Sequence, residues 1–128
     1  MKQLISILFV LLSLNVNAQH LTFEGLTLGC DLKTLDDHAN KMGWKYEGVI
    51  IGVIYSGYFL DTPVLFNFKV ENDKVQDDVL VFTTNDYGKL YYSAIGYCQQ
   101  NGTKDIDYHF KGQDCYVYKL NNGQTWRI

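Results

Sequence analysis

The chain has 128 residues, enough for one domain whose core needs no covalent staples. At 47% hydrophobic and 20% charged it is not a disordered chain, and a formal charge of −3 without a basic cluster disfavours a nucleic-acid partner. Ten Tyr, seven Phe and two Trp bring aromatics to 15%, an excess that favours strands and half-buried tyrosines.

Met1 to Ala18 reads as a secretory signal peptide. Lys2 supplies the positive start, Leu4 to Leu14 is apolar except for Ser6 and Ser13, and Val16 and Ala18 fit a small-residue cleavage site. The apolar run is shorter than the roughly 20 residues of a membrane span, and no cysteine follows it directly. Residues 19–128 would form the mature domain, periplasmic or secreted, with no stable membrane insertion after cleavage. Losing Lys2 would leave it at −4. The Asn17-Ala18-Gln19 junction resembles the export signals of small proteins of Bacteroidota.

His20 to Leu28 reads as a short first strand, ended by Gly29. Asp31 then caps a helix over Leu32 to Met42, with Leu35, Ala39 and Met42 at helical spacing and Gly43 as its left-handed stop. Glu47 to Thr84 carries three apolar runs with period-two spacing: Val49 to Tyr55, Val64 to Val70, and a looser run through Val75, Val79 and Val81. Asp61-Thr62-Pro63 separates the first two, where Pro63 suits a strand start or an edge. Asn72-Asp73 is a hairpin signal between the second and third. Asn85 can cap a second helix to about Gln100, with Tyr87, Leu90, Tyr91, Ala94 and Cys98 facing inward and Gly102 ending it. Ile106, Tyr108 and Phe110 alternate, Cys115 to Leu120 alternates again, and Gln124 to Ile128 closes the chain after an Asn-Asn-Gly turn. A helix precedes each meander, so the layout reads as two helix-plus-meander halves. Any two hairpins would look as much alike at this length.

The expected fold is α+β in two layers: one antiparallel sheet of about five to seven strands with two helices packed on one face. This layout resembles small secreted α/β proteins of Bacteroidota and, more loosely, the beta-lactamase-inhibitor-protein-like fold. The residues that carry the resemblance are Phe23-Glu24-Gly25-Leu26-Thr27-Leu28-Gly29 and the closing stretch Tyr116 to Ile128. It implies a binding or inhibitory protein without catalytic residues, and assigns no individual residue a role.

Three cysteines in an exported chain invite one disulfide. Cys98–Cys115 is favoured narrowly over Cys30–Cys98, and all three as small buried apolar residues is the third reading. A cysteine hydrolase would use Cys30 with His38 or His109, but eight residues of helix separate Cys30 from His38 by about 12 Å of rise. Three scattered histidines show no metal-ligand spacing, and Glu71, Asp73, Asp77 and Asp78 lack the pattern of a calcium loop, so neither metal nor cofactor is expected. Asn101-Gly102-Thr103 matches a glycosylation sequon, and reads as a helix end.

The aromatic excess is the feature with functional pull. Tyr55, Tyr58, Tyr92, Tyr97, Tyr116 and Tyr118 cannot all be buried. Tyr55, Tyr58, Tyr116, Tyr118 and Trp126 are the candidate binding residues, on an acidic, Tyr-rich sheet face. The expected function is non-catalytic binding of a protein, as an inhibitor or immunity-type protein. Carbohydrate binding and a small Cys30 hydrolase are the alternatives.

Overall fold

A computed structural model describes residues 5–6 and 21–128. Apart from Ile5–Ser6 (β1), the expected leader therefore lies outside the described residues. The first expected strand is instead a hairpin of two short strands, β2 (Thr22–Phe23) and β3 (Leu26–Thr27), turned by Glu24-Gly25. Helix α1 (Leu32–Met42) has its expected ends. The Asp31 carboxylate accepts from the Thr34 N–H at 2.9 Å, and Gly43 stops the helix at φ 78°. Asp73, in a distant turn, adds a second cap by accepting from the Leu32 N–H at 3.3 Å.

The period-two runs become β4 (Lys45–Val49), β5 (Val53–Phe59), β6 (Thr62–Glu71) and β7 (Lys74–Thr83), an antiparallel meander in the order β7-β6-β5-β4. The first run, expected as one strand from Val49 to Tyr55, is instead broken by a turn: Val49 ends β4 and pairs with Val53 of β5, and Val49, Ile50 and Ile51 are exposed. Ile5–Ser6 pairs with the outer end of β7 through Thr83 and Phe82. The looseness of the third run has a cause. Phe68 pairs with Val79 and Val70 with Val75, so β7 spends two extra residues in a bulge that lets Asp77 interrupt the apolar row. Pro63 is neither a strand start nor on an edge strand: it is the second residue of β6 and pairs with Tyr58 of β5. It lies beyond the last β6–β7 pair, where no second neighbour asks for its missing N–H.

Helix α2 (Tyr87–Asn101) starts after Asp86 rather than Asn85, with no side-chain cap. Gly102 is extended and opens the next strand rather than stopping the helix in the left-handed region, and its lack of a side chain leaves room for the Lys119 carbonyl, which would stand 2.4 Å from a Cβ there. Strands β8 (Gly102–Phe110), β9 (Gln113–Leu120) and β10 (Thr125–Arg127) form a second meander in the order β10-β9-β8. The expected single sheet of five to seven strands is thus corrected to separate antiparallel sheets of four strands (five with the two residues of β1), three and two, with two helices. Each meander follows its own helix, and hydrogen-bond ladders run within each meander but not between them.

What joins them is packing. The inner faces of β5, β6 and β7 bury Val53, Tyr55 and Phe59, Val64, Phe66 and Phe68, and Val75, Val79 and Val81. Trp44 lies across this face with its ring 4.7 Å from that of Phe66. It can do so because position 57 is glycine: a Cβ there would stand 2.6 Å from Trp44 Cδ1. Phe23 caps the same cluster, 5.6–6.0 Å from Phe59, Phe66 and Phe68. From the other half, Trp126 reaches Phe59 at 5.5 Å and stacks on Tyr97 of α2 at 5.1 Å. Leu35 and Ala39 of α1, and Leu90, Ala94 and Cys98 of α2, complete one core.

Four two-residue turns close hairpins, and in each both residues have positive φ: Glu24-Gly25, Leu60-Asp61, Asn72-Asp73 and Lys111-Gly112. That is the type I′ geometry whose twist matches the strands. Leu60 and Lys111 occupy it against their steric preference, which favours Asn or Gly.

Two substitutions should move stability in opposite directions. Gly57→Ala is expected to cost about 1–3 kcal/mol by pushing Trp44 off the sheet. Lys111→Asn should gain about 0.5 kcal/mol or more by relieving the left-handed turn. Urea unfolding would read both as midpoint shifts at constant slope.

Candidate functional site

The longest exposed element is the β8–β9 hairpin. Lys104 pairs with Tyr118 but Ile106 pairs with Val117, so Asp105 forms a bulge in β8. Past the bulge, Ile106, Tyr108 and Phe110 share a face with Val117 and Cys115, while Asp107 and His109 share the other with Tyr116 and Asp114. β8 is the edge strand of its sheet, and every residue from Thr103 to Phe110 is exposed. Ile106, Tyr108 and Phe110 remain 52%, 44% and 59% accessible, an alternating apolar row on an unpaired edge.

The second face of the hairpin meets the tyrosines of α2. The Tyr91 hydroxyl donates to the Asp114 carbonyl at 3.0 Å, and its ring lies between those of Tyr87 and Tyr92, at 5.6 and 5.0 Å. Desolvation, helped by nearby Tyr116, pushes the Tyr91 phenol up to about 12, so it remains a neutral donor at physiological pH. Tyr92 is exposed. His109 Nδ1 faces Asp114 Oδ1 at 3.0 Å, and the Lys104 ammonium binds Asp107 at 3.2 Å while lying 5.4 Å from the Tyr116 ring. Between them a shallow groove of about 240 Å³ is lined by Asp107, Tyr108, His109, Asp114 and Tyr116. Aromatic rings and carboxylates do converge, but here rather than on the main sheet.

The candidate binding residues are scattered. Tyr58 is exposed on β5 and Tyr116 is half-buried in the hairpin groove. Tyr55, Tyr118 and Trp126 are buried, which corrects their expected place on an open face. Tyr55 is held by a hydrogen bond from its hydroxyl to the Asp36 carboxylate of α1, and burial followed by that bond raises its phenol far above the ordinary range. Trp126 donates through Nε1 to Gln124 Oε1 at 2.8 Å. Tyr97, half-buried, spends its ring on Trp126. Ile106, Tyr108 and Phe110 read as an ordinary half-buried strand, since alternation alone does not say which faces a neighbour covers.

The expected Cys98–Cys115 disulfide is not formed. None of the three cysteines is in a disulfide. Cys98 is fully buried in the shared core, whereas Cys115 pairs with Tyr108 on the side of β9 opposite to the buried Tyr118. Nor does the geometry activate Cys30. Burial raises its thiol, its carbonyl accepts from the Val75 N–H, and neither histidine contacts it. His38 Nε2 lies 2.9 Å from the Glu24 carbonyl with its ring against Trp44, and His109 belongs to the distant hairpin. In the acidic turn, Glu71 pairs with Lys69 and Asp73 caps α1. Among the described residues no three His, Cys, Asp or Glu side chains are grouped to hold a metal ion.

Thiol chemistry should separate the cysteines: Cys98 is expected to stay unlabelled by a thiol reagent until the chain unfolds, while Cys30 and Cys115, both half-buried, react in the native state. Desolvation pushes the Cys98 thiol up to about 12, above its value in the unfolded chain. The folded state therefore keeps a proton that the unfolded state releases above about pH 8.5, and stability falls as pH rises from there towards 12. Cys98→Ala should flatten that fall in urea midpoints taken across this range; the tyrosines, whose phenols are also raised, account for the remaining loss above about pH 10.

No protein-family model, no curated protein and no solved structure matches this chain.

Proposed function

We propose that the chain is an exported, non-catalytic binding protein that takes an extended segment of a partner protein onto the free edge of β8. The observation that carries this reading is the edge itself. Along nine residues of strand, alternate residues direct their backbone groups away from β9, flanked on one face by Ile106, Tyr108 and Phe110 and on the other by Asp107, His109 and the tyrosines of α2. Backbone pairing along an edge supplies affinity, and alternating side chains supply selectivity. The exposed row of Ile106, Tyr108 and Phe110 favours a partner segment with apolar side chains at alternate positions.

An inhibitor or immunity-type role is the concrete form of this proposal. It rests on the resemblance to beta-lactamase-inhibitor-like proteins and on the helix-plus-meander layout of each half. The signal-peptide pattern of Met1 to Ala18 supports a place in the periplasm or outside the cell. A sugar would want several rings in one plane on a shallow floor, and the hairpin offers alternating rings on an edge.

Export cleavage predicts a mature chain that begins at Gln19, read directly as intact mass after secretion. For binding, the immobilised mature chain should capture one partner from envelope extract, quantified against Tyr108→Ser/Phe110→Ser. Both residues are exposed, so the fold should survive, and capture should fall by about tenfold or more. Tyr58→Ser, at an exposed site on the other sheet, should leave capture intact. Equal capture by the double variant would remove the edge-strand reading.

A further inference from the structure

The turn between β4 and β5 carries the most exposed aliphatic side chains among the described residues. Val49, Ile50 and Ile51 follow one another there and are 63%, 81% and 82% accessible. The backbone fixes this turn. At Gly52 the return into β5 is pressed against β6, where a Cβ would stand 2.3 Å from the Phe68 carbonyl oxygen. The Ile50 N–H donates to the Gly52 carbonyl at 3.1 Å and closes the turn on itself. The tip is a self-bonded bend with three aliphatic side chains outside it.

The charged groups flanking the tip are balanced and engaged. Lys45 and Glu47 stand on β4, and Lys69 and Glu71 on β6. Glu47 accepts from the Ser56 hydroxyl at 2.8 Å, and Lys69 pairs with Glu71 at 3.2 Å. The β6–β7 turn lies at the same end of the sheet but is tied to α1. Asp73 caps that helix, and the Val75 carbonyl and N–H bond Gly29 and Cys30, each at 2.7 Å. Behind the tip on β4, Tyr46 is 57% accessible, with its ring edge-on to Tyr55 at 5.9 Å. Lys45 precedes it and is exposed.

Successive residues of a bend point in different directions, so a rigid partner would need a socket around all three side chains. Protein-binding hot spots draw instead on Trp, Tyr and Arg. A hydrocarbon layer needs neither socket nor matching charge. It needs apolar side chains and backbone groups bonded within the inserted segment, and the Ile50–Gly52 bond supplies part of that. An amphipathic ring set back from the apolar tip, with a lysine behind it, is the order in which these side chains settle at a water–lipid boundary. We propose that the β4–β5 turn is a lipid-contact site: Val49, Ile50 and Ile51 enter the headgroup–acyl boundary of an uncharged bilayer surface, and Tyr46 lies at its interface. Three residues at a turn give a reversible surface contact and not a span. The site stands apart from the β8 edge and does not depend on the protein-binding reading.

The test is flotation of the mature chain, free of its apolar leader, with phosphatidylcholine vesicles. The chain should float at about 0.1 M and equally at about 0.5 M salt, because the tip carries no charge for salt to screen. Ile50→Ser/Ile51→Ser, at two exposed positions, should weaken vesicle binding by about tenfold or more. Tyr108→Ser/Phe110→Ser, on the other sheet, should leave it unchanged. Ile51→Trp gives a second readout: its emission should move to the blue with vesicles and be quenched by brominated acyl chains. Trp44 and Trp126 are buried, so the parent chain should show neither change. The proposal is overturned if the parent chain does not float, if the higher salt releases it, or if the β8 variant loses binding as fully as the tip variant. It is overturned equally if, without vesicles, the parent is a dimer that the tip variant splits, or if the tip variant floats normally and loses a captured envelope protein.

Discussion

The structure depends on one aromatic cluster. Phe66 and Phe68 stand on the central strand of the main meander, Trp44 lies across them, and Phe23 and Phe59 close the side. Individual ring pairs are worth about 0.5–1.5 kcal/mol beyond the area they bury. Their placement matters more than their sum. Phe23 belongs to a hairpin of two-residue strands that could not stand alone, and Trp126 belongs to a three-residue strand of the second meander. Both are kept in place because their rings complete this cluster. Three sheets that share no ladder thus behave as one core.

The two halves use their side chains differently. The first buries both neighbours of its central pair and covers them with α1, the hairpin and Trp44. The second has a helix that buries only Leu90, Ala94 and Cys98, and its sheet narrows from nine residues in β8 to three in β10. The inner part of β9 is covered, with Tyr118 and Leu120 in the core, and the outer part of the hairpin projects beyond its support. The free edge follows from the strand order β10-β9-β8, in which no strand lies beyond β8 among the described residues. Its bulge at Asp105 and the charges of Lys104 and Asp107 are the devices that keep such an edge soluble.

Local order was legible in the sequence where several signals agreed. Helix α1 had a cap, a stripe and a glycine stop, and β6 had clean alternation, so their faces followed from period alone. Turns were legible at Asn72-Asp73 but not at Leu60-Asp61, where a leucine adopts a conformation that its Cβ disfavours. The division into separate sheets could not be read, because alternation describes a strand's faces and not its neighbours. For the same reason Tyr55 and Tyr118 looked as available as Tyr58. Cys98 and Cys115 illustrate the register problem: the inward placement of Cys98 was correct, and the alternation along β9 sets Cys115 on the face opposite to the buried Tyr118.

The bond from Gln124 to the Thr22 carbonyl spans 102 residues. Closing a loop of that length costs on the order of 4 kcal/mol in chain entropy, more than one hydrogen bond returns. The bond exists only because the surrounding rings close at the same time, so the first hairpin and the last strand acquire order together. A chain growing from its N-terminus can complete α1 and the β4–β7 meander long before Gln124 is made. Phe23 then has half of its surroundings, and the junction stays open until the final strand arrives. The seam between Phe23 and Trp126 is thus the part of the fold that a lengthening chain can close last.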